Sequence, residues 1–215
     1  MQWDFAERFR QARLYAIIDT TYLAGRNVVF YAKEMVEGGA DVIQLRAKNE
    51  TQAQVREMAK EIHAITREAR VPFILNDYVT LAAELGVEGV HVGQEDMPVE
   101  KVRQLMPAAL VGKSTHSLEQ ALSAQKEKPD SIGFGPLFAT QTKPTYLPIG
   151  LDSIATVHQK VSLPIFCIGG ITINRLDSIL AKGAKRVVIV SEWMKSEKPS
   201  DYGLNIKNYL NQHPL

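Results

Sequence analysis

The stretch PFILNDYVTLAAELGVEGVHVGQEDMP, residues 72–98, contains the unit from which the fold is built. Two short apolar runs within it, PFILN (72–76) and GVHVG (89–93), are bounded by Pro, Asn or Gly, as β-strands commonly are. Between them, VTLAAELG (79–86) is typical of a short helix. The two runs are almost continuously hydrophobic, which indicates parallel strands covered on both faces. The stretch therefore predicts a strand–helix–strand unit.

The same alternation extends along the chain in both directions. Six further runs have the character of strands: LYAII (14–18), DVIQLR (41–46), LVGKS (110–114), SIGFG (131–135), PIFCIGG (164–170) and RVVIVS (186–191). Helical patterns separate them, the longest being TQAQVREMAKEIHAITREA (51–69). Eight strands alternating with eight helices predict an α/β protein, a (β/α)8 TIM barrel forming a single domain over residues 1–215, with an extra helix within residues 1–12. A doubly wound open sheet is the alternative architecture.

The composition excludes several functional classes. The chain has 215 residues, of which 45% are hydrophobic and 23% charged, and its formal net charge is +1, so no bulk charge attracts nucleic acid or a membrane surface. The single cysteine, Cys167, excludes an internal disulfide and a cysteine-based metal cluster. No apolar stretch approaches the roughly 18–20 residues of a membrane span, and the first residues lack the apolar segment of a signal peptide. We expect a cytoplasmic protein with small-molecule partners, and association into homo-oligomers stays open.

Polar residues follow almost every predicted strand. In a barrel these positions are the carboxyl ends of the strands, which form the face where active sites of this fold lie. They include Arg46, Lys48, Asn76, Asp77, Asp96, Ser114, His116, Thr140, Thr142, Lys143, Gly169, Gly170 and Ser191. The turns at the opposite ends, such as GGAD and GVEG, carry nothing expected to perform chemistry. This asymmetry predicts one active site at the carboxyl face.

Two carboxylates at this face, Asp77 and Asp96, follow the third and fourth predicted strands. Because neighbouring parallel strands lie about 4.8 Å apart, both acids could share one cation. Oxygen ligands without a nearby His or Cys suit Mg²⁺, which also binds substrate phosphates. The alternative is structural: Asp96 stands just before Met97–Pro98, and either acid could cap the helix that follows it.

Cationic residues are predicted at the same face. Arg46, Lys48 and Lys143 all follow strands, which favours an anionic ligand. The stretch CIGGIT (167–172) is similar to the phosphate-binding loop that barrels place after strand seven, and Ser191 follows strand eight, where such a site is completed.

Taken in order, QLRAK, ILNDYVTLAAELGVEGVHVGQEDMP, KSTHSLEQA, GFGPLFATQTK, CIGGIT and VVIVS resemble the thiamine phosphate synthase family over about Leu14 to Ser191. The resemblance implies a transferase of thiamine biosynthesis. Such an enzyme couples hydroxymethylpyrimidine diphosphate with hydroxyethylthiazole phosphate, or its carboxylate, and yields thiamine phosphate and pyrophosphate. It further implies a dissociative, Mg²⁺-assisted substitution in which pyrophosphate leaves before the thiazole nitrogen attacks.

The resemblance also implies individual roles. The Mg²⁺ ligands would be Asp77 and Asp96. The pyrophosphate contacts would be Arg46, Lys48, Asn76 and Lys143. The residues around the pyrimidine would be Tyr15, Gln44 and His91, with Ser114 where the two substrates meet. The pyrimidine and thiazole-phosphate pockets would include Thr140, Thr142, Gly169, Gly170 and Ser191. The catalytic residues would be Arg46, Lys48, Ser114 and Lys143. Mg²⁺ with the three cations would place five positive charges around the leaving group.

Three alternatives stay open. A thiazole tautomerase of the same superfamily would need proton transfer, for which His116 is the candidate residue. Another phosphate-binding barrel, such as a sugar-phosphate isomerase or an aldolase, is also compatible, and an aldolase would need a strand lysine such as Lys113. A non-catalytic regulatory barrel would keep a phosphate pocket without requiring the metal.

Overall fold

Eight parallel strands close into a barrel in the order in which they occur in the chain. The computed structural model describes residues 4–142 and 146–213. The strands are β1 Leu14–Asp19, β2 Val42–Arg46, β3 Phe73–Asn76, β4 Gly89–Val92, β5 Leu110–Thr115, β6 Ser131–Phe134, β7 Ile165–Cys167 and β8 Arg186–Ile189. β1 pairs with both β2 and β8, so the sheet is closed. The predicted TIM barrel is confirmed, and the open-sheet alternative is wrong.

Helices connect the strands and cover the outside of the barrel. They are α1 Phe5–Gln11, α2 Val28–Glu37, α3 Gln52–Ala69, α4 Val79–Leu85, α5 Val99–Leu105, α6 Leu118–Glu127, α7 Ile154–Lys160, α8 Leu176–Ala181, α9 Ser191–Lys195 and α10 Pro199–Asn211. The longest begins where its sequence predicts, because Thr51 and Gln54 form a reciprocal capping box at its first turn. No helix in residues 4–142 and 146–213 is long and apolar enough to cross a membrane.

The inside of the barrel is filled by its own apolar cluster. It consists of Phe9, Ala12, Tyr15, Ile17, Val42, Ile74, Leu110, Phe166 and Val188. Phe9 of α1 packs on Phe166 with ring centroids 5.7 Å apart, and Phe166 in turn contacts Tyr15 at 5.2 Å. Helix α1 therefore closes the amino end of the barrel, and the free space lies at the carboxyl end.

A second, larger apolar layer separates the strands from the helices. Cys167 lies in this layer and is fully buried. Burial raises the pKa of its thiol to about 12, so the thiolate does not form near neutral pH. This environment agrees with a packing role for the cysteine.

Acidic residues at the amino face bind the strands to the helices. Each accepts a backbone N–H at the start of the preceding strand and pairs with a basic side chain of a surrounding helix. The three pairs are Asp41 with Lys207, Glu88 with His63, and Asp130 with Arg103. Each acid thus has both a hydrogen-bond donor and a basic partner within the protein.

Candidate active site

A cavity opens at the carboxyl face of the barrel, where the sequence predicts the active site. Most of the predicted site residues line it: Tyr15, Gln44, Arg46, Asn76, His91, Ser114, Thr140, Thr142, Gly169, Gly170 and Ser191. Apolar side chains from the inner cluster, Ile17, Phe166 and Val188, form its floor. Lys48, Asp77 and Asp96 are not part of this lining and lie in the segments that follow β2, β3 and β4. Lys143 falls outside the described residues.

The two predicted metal ligands are in contact with each other. The carboxyl groups of Asp77 and Asp96 lie next to each other, and Lys48 forms an ion pair with Asp77. Burial raises the pKa of Asp77; Lys48 opposes this increase, and the neighbouring acid adds to it. Asp77 itself adopts a left-handed backbone conformation, with φ +67°, directly after β3. The strand ends therefore place two carboxyl groups together.

Neither acid caps a helix. Helix α4 begins at Val79 after Tyr78, helix α5 begins at Val99 after Pro98, and neither N-cap makes a side-chain hydrogen bond. Asp96 instead accepts the backbone N–H of Gly93 at 2.7 Å. The capping alternative is therefore wrong for both residues.

The donor set fits a magnesium ion that takes its remaining ligands from water and substrate. Two ionised carboxylates in contact repel each other, and a divalent cation between them removes that repulsion. Within the part of the chain that the structure describes, no group of three or more His, Cys, Asp or Glu side chains could hold a metal. Mg²⁺ is usually bound by only one or two carboxylates together with substrate phosphates, so a pair of acids is sufficient.

Each described cation of the site is already paired with an acid. Arg46 donates to the Asp19 carboxylate at 2.7 Å, and Lys48 pairs with Asp77. Two cations and three carboxylates leave these residues with one negative charge in excess. The sum of five positive charges expected from the sequence therefore overstates the attraction for an anion, because it omits the acids.

Asp19 was not predicted from the sequence as a site residue. It is the last residue of β1 and only 1% exposed. The predicted strand ended at Ile18, one residue earlier. Asp77 and Asp96 were predicted because they are acids close after a predicted strand, and the same criterion would have found Asp19.

A chain of hydrogen bonds crosses the cavity wall toward Asp77. Tyr15 donates to Gln44 at 2.8 Å, Gln44 donates to Asn76 at 3.2 Å, and Asn76 donates to Asp77 at 2.6 Å. Burial raises the pKa of Tyr15, which keeps its hydroxyl protonated as the first donor. Each amide then has one N–H left over, so Gln44 and Asn76 can each donate one further hydrogen bond to a ligand.

His91 and Ser114 form a second polar pair in the cavity wall, 2.8 Å apart. Glycines make room for the imidazole, since a Cβ on Gly112 would lie 2.4 Å from the ring and one on Gly133 would lie 3.4 Å from it. Gln94 donates to the carbonyl of Ser114 at 2.5 Å. These contacts hold the Ser114 hydroxyl at the cavity surface.

The loops after β6 and β7 pack directly on each other. The backbone N–H of Phe138 donates to the carbonyl of Gly169 at 3.1 Å. Gly169 and Gly170 have φ values of +101° and +62°, and a Cβ on Gly169 would lie 2.4 Å from Pro136. Only glycine fits this turn without strain. On the β6 side, the hydroxyl of Thr142 lies 3.1 Å from that of Tyr22.

Two residues that motivated alternative functions are engaged elsewhere. Lys113 is buried and pairs with Glu127 of α6 at 2.8 Å, on the outer side of the barrel, so it is not a Schiff-base lysine of the cavity. His116 lines the cavity, but its Nδ1 makes a hydrogen bond with the carbonyl oxygen of Gly135, and its ring contacts that of Tyr146 at 4.4 Å. Glu192, which follows Ser191, is exposed on α9 and is not among the lining residues.

The closed barrel and the polar cavity at its carboxyl face define the class: a single TIM barrel with paired acidic and basic side chains around one ligand site. A family model described as thiamine monophosphate synthase matches residues 14–193. The chain therefore belongs to the thiamine monophosphate synthase family, whose members are transferases of thiamine biosynthesis.

Known relatives agree with this assignment. The chain is 42% identical to the thiamine-phosphate synthase of Chloroflexus aurantiacus over 180 residues, which cover 83% of each protein. It is 40% identical to that of Pelotomaculum thermopropionicum, with 87% of each covered. The solved thiamine phosphate pyrophosphorylase of Pyrococcus furiosus is similar with a TM-score of 0.86 and 30% identity, covering 96% of this chain and 98% of that one. A 3-hexulose-6-phosphate synthase, 14% identical with a TM-score of 0.64 and 91% and 98% covered, shares the fold.

Proposed function

We propose that the chain couples hydroxymethylpyrimidine diphosphate with hydroxyethylthiazole phosphate, or its carboxylate, and forms thiamine phosphate with release of pyrophosphate. The observation that carries this proposal is that Asp77 and Asp96 lie next to each other, with Lys48 paired to Asp77, beside a polar cavity that Arg46 lines. A leaving pyrophosphate needs a divalent cation together with basic side chains, whereas the tautomerase reaction releases no pyrophosphate and has no use for Asp77, Asp96 and Lys143 together.

Asp77 and Asp96 would hold Mg²⁺, which supplies positive charge to the departing pyrophosphate. Among the described residues of the site, three carboxylates outnumber two basic side chains. This supports the proposed need for the metal, since Arg46 and Lys48 alone would not offset the charge of a diphosphate. Arg46, Lys48, Asn76 and Lys143 would contact the pyrophosphate oxygens. Stabilising charge that develops on a leaving group is often the largest single catalytic contribution.

The remaining cavity residues would bind the two ring systems. The free N–H groups of Gln44 and Asn76 suit the nitrogen acceptors of a pyrimidine, and the floor of Ile17, Phe166 and Val188 excludes water beneath it. Tyr15 and His91 would complete this pocket, and Ser114 would lie where the two rings meet. Thr140, Thr142, Gly169, Gly170 and Ser191 would surround the thiazole phosphate.

The reaction would be dissociative, with pyrophosphate leaving before the thiazole nitrogen attacks. This nucleophile is neutral and needs no general base, which agrees with a cavity rich in amide and hydroxyl groups. Lys143, Lys48 and Arg46 would hold the leaving group throughout, and Ser114 would lie beside the reacting carbon. On this proposal residues 1–215 act as one domain in the cytoplasm with small-molecule partners, without nucleic acid or membrane, and alone or as a homo-oligomer.

The test is an end-point assay with both substrates and Mg²⁺, with and without EDTA, in which thiamine phosphate is oxidised and measured by fluorescence. We expect product only when the metal is present. A folded sample that forms no product, but isomerises a thiazole carboxylate phosphate, would replace the synthase with the tautomerase. Product formation that persists in EDTA would remove Mg²⁺ from the proposal.

A further inference from the structure

Asp19 occupies a position at which a carboxylate is unfavourable unless something specific requires it. It ends β1, is 1% exposed, and lies opposite Arg46 in the register of β1 with β2. A buried carboxylate must be paired and hydrogen-bonded, since its desolvation otherwise costs several kcal/mol. The hydrogen-bond partners of Asp19 therefore indicate its role.

The Asp19 carboxylate is fixed from two sides. One oxygen accepts a hydrogen bond from Nη1 of Arg46 at 2.7 Å. The other accepts the backbone N–H of Thr21 at 3.0 Å and also the Thr21 hydroxyl. The backbone N–H of Asp19 donates to the sulfur of Met194 at 3.1 Å. A carboxylate anchored in this way cannot follow movements of the guanidinium, so it sets the orientation of Arg46.

The rest of the Arg46 guanidinium has donors to spare. Its side chain is 13% exposed and lines the cavity, and among the residues that the structure describes its side-chain hydrogen bond goes from Nη1 to Asp19. A guanidinium carries five N–H donors in a rigid planar arrangement. The Nη donors that Asp19 does not use are therefore available to an anion bound in the cavity.

We propose that Asp19 is a positioning residue: it holds the guanidinium of Arg46 in the one orientation that presents its unpaired donors to the diphosphate. This inference rests on the proposed function, in which Arg46 contacts the leaving pyrophosphate. Asp19 touches no substrate itself. Its charge also offsets that of Arg46, so the arginine acts on the anion through alignment more than through net charge.

Alignment and net charge predict different kinetics. Loss of the Asp19 charge would increase the Coulombic attraction for any diphosphate, while loss of alignment would weaken the interaction that grows as the bond to the leaving group breaks. An interaction made mainly in the transition state affects kcat, whereas uniform binding affects KM. A small displacement of a catalytic group costs up to about 10²-fold in rate.

The experiment is a double-mutant cycle with steady-state kinetics on the Asp19→Asn, Arg46→Gln and doubly substituted chains. We expect Asp19→Asn to lower kcat by about 10-fold to 10²-fold, with less than about a 3-fold change in KM for the pyrimidine diphosphate. In the Arg46→Gln background, the same substitution should have no further effect. Direct titration of each chain with inorganic pyrophosphate and Mg²⁺ gives a second readout, in which Asp19→Asn should bind within about 3-fold of the unsubstituted chain.

Asp130→Asn is the matched control, because it alters another aspartate–arginine pair, with Arg103 at 2.6 Å, at the opposite face of the barrel. It should leave kcat unchanged. Should Asp19→Asn not fold, Thr21→Val removes one anchor of the carboxylate and should lower kcat less, again only when Arg46 is present.

The outcomes separate this inference from the proposed function. An unsubstituted chain that neither forms thiamine phosphate nor binds pyrophosphate would refute the proposed function. With an active unsubstituted chain, an unchanged kcat in Asp19→Asn would refute the positioning role. The positioning role would also be refuted if Asp19→Asn lowered kcat by the same factor in the Arg46→Gln background, since Asp19 would then act independently of Arg46.

Discussion

Acidic residues at the two faces of the barrel are similar in number and in their basic partners, but they are connected differently. At the amino face, Asp41, Glu88 and Asp130 each accept a strand N–H and pair with a basic residue of a helix. At the carboxyl face, Asp77 and Asp96 contact each other, and Asp19 and Asp77 pair with basic residues of β2 and its following loop.

The difference shows why ion pairs by themselves do not mark function. An acid whose backbone and side-chain partners are all internal has no capacity left for a ligand, and its role is to hold strand and helix together. Two adjacent acids repel each other when both are ionised, and a bound cation relieves that repulsion. The carboxyl face is therefore the reactive one, although both faces carry charged pairs.

The largest effect should come from Asp96→Asn at the carboxyl face. We expect kcat/KM to fall by about 10²–10³, the loss typical of removing one electrostatic group from a transition state. The thermal midpoint should change little, because Asn can still accept the N–H of Gly93. Circular dichroism and steady-state kinetics would measure both quantities. A folded variant with full activity would exclude Asp96 from the mechanism. It would also contradict the division between functional acids at the carboxyl face and structural acids at the amino face.

The next effect should come from Glu88→Ala at the amino face, and it should be purely structural. The Glu88 side chain is only 10% exposed and accepts the backbone N–H of Phe73 at 3.0 Å. Its loss leaves that N–H unsatisfied at the start of β3 and should lower the free energy of unfolding by about 2–3 kcal/mol. Urea denaturation would measure this, with Glu88→Gln as a milder control. Reduced kcat in the folded Glu88→Ala chain would contradict the division of roles.

A smaller effect should appear as a pH dependence at the amino side. Burial, with Lys185 and Arg186 nearby, lowers the pKa of His158 from its usual 6.5 to about 4. The unfolded chain therefore binds more protons between pH 6.5 and pH 4, and stability falls as the pH is lowered through that range. Allowing for the partial exposure of His158, the loss is about 1–2 kcal/mol. Urea denaturation at several pH values should show a weaker dependence in His158→Gln, and identical profiles would exclude this histidine.

The smallest effect should come from Lys113→Met. Lys113 belongs to a barrel strand but pairs with Glu127 outside the cavity, and the Glu127 side chain is 34% exposed, so water can solvate it when its partner is removed. We expect kcat to stay within about twofold of the unsubstituted value, since the residue stabilises no transition-state charge. Product formation under saturating substrates would measure this. A large loss of kcat would mean that Lys113 takes part in the chemistry.

The alternation of strands and helices was predictable because each element carries its own hydrophobic pattern. The seventh strand shows where such patterns fail: the apolar run 164–170 continues beyond β7, which ends at Cys167. The carbonyls of Ile168 and Gly169 accept N–H groups from the loop after β6 instead of a neighbouring strand. This pairing depends on contacts distant in sequence, which hydrophobicity does not encode.

The position of a residue at the carboxyl face was predictable where it depended on strand ends, as for Asp77, Asp96 and Arg46. It was not predictable where it depended on partners. The pairing of Arg46 with Asp19 follows from the register of β1 on β2, which the local sequence of neither strand reveals. The hydrogen bonds of the acids at the amino face were missed for the same reason, since Asp130 accepts a backbone N–H of the preceding strand.

Because helix α1 closes one end of the barrel, it affects the order in which substrates bind and products leave. With Phe9 packed beneath Phe166, the amino end is closed, and the floor residues of the cavity lie directly above this seal. When two substrates share one entrance, the substrate that binds deeper in the cavity must bind first. The product nearest the opening must then be released first. We expect an ordered sequential mechanism, and product-inhibition patterns that fit random addition would show that a second route leads into the barrel.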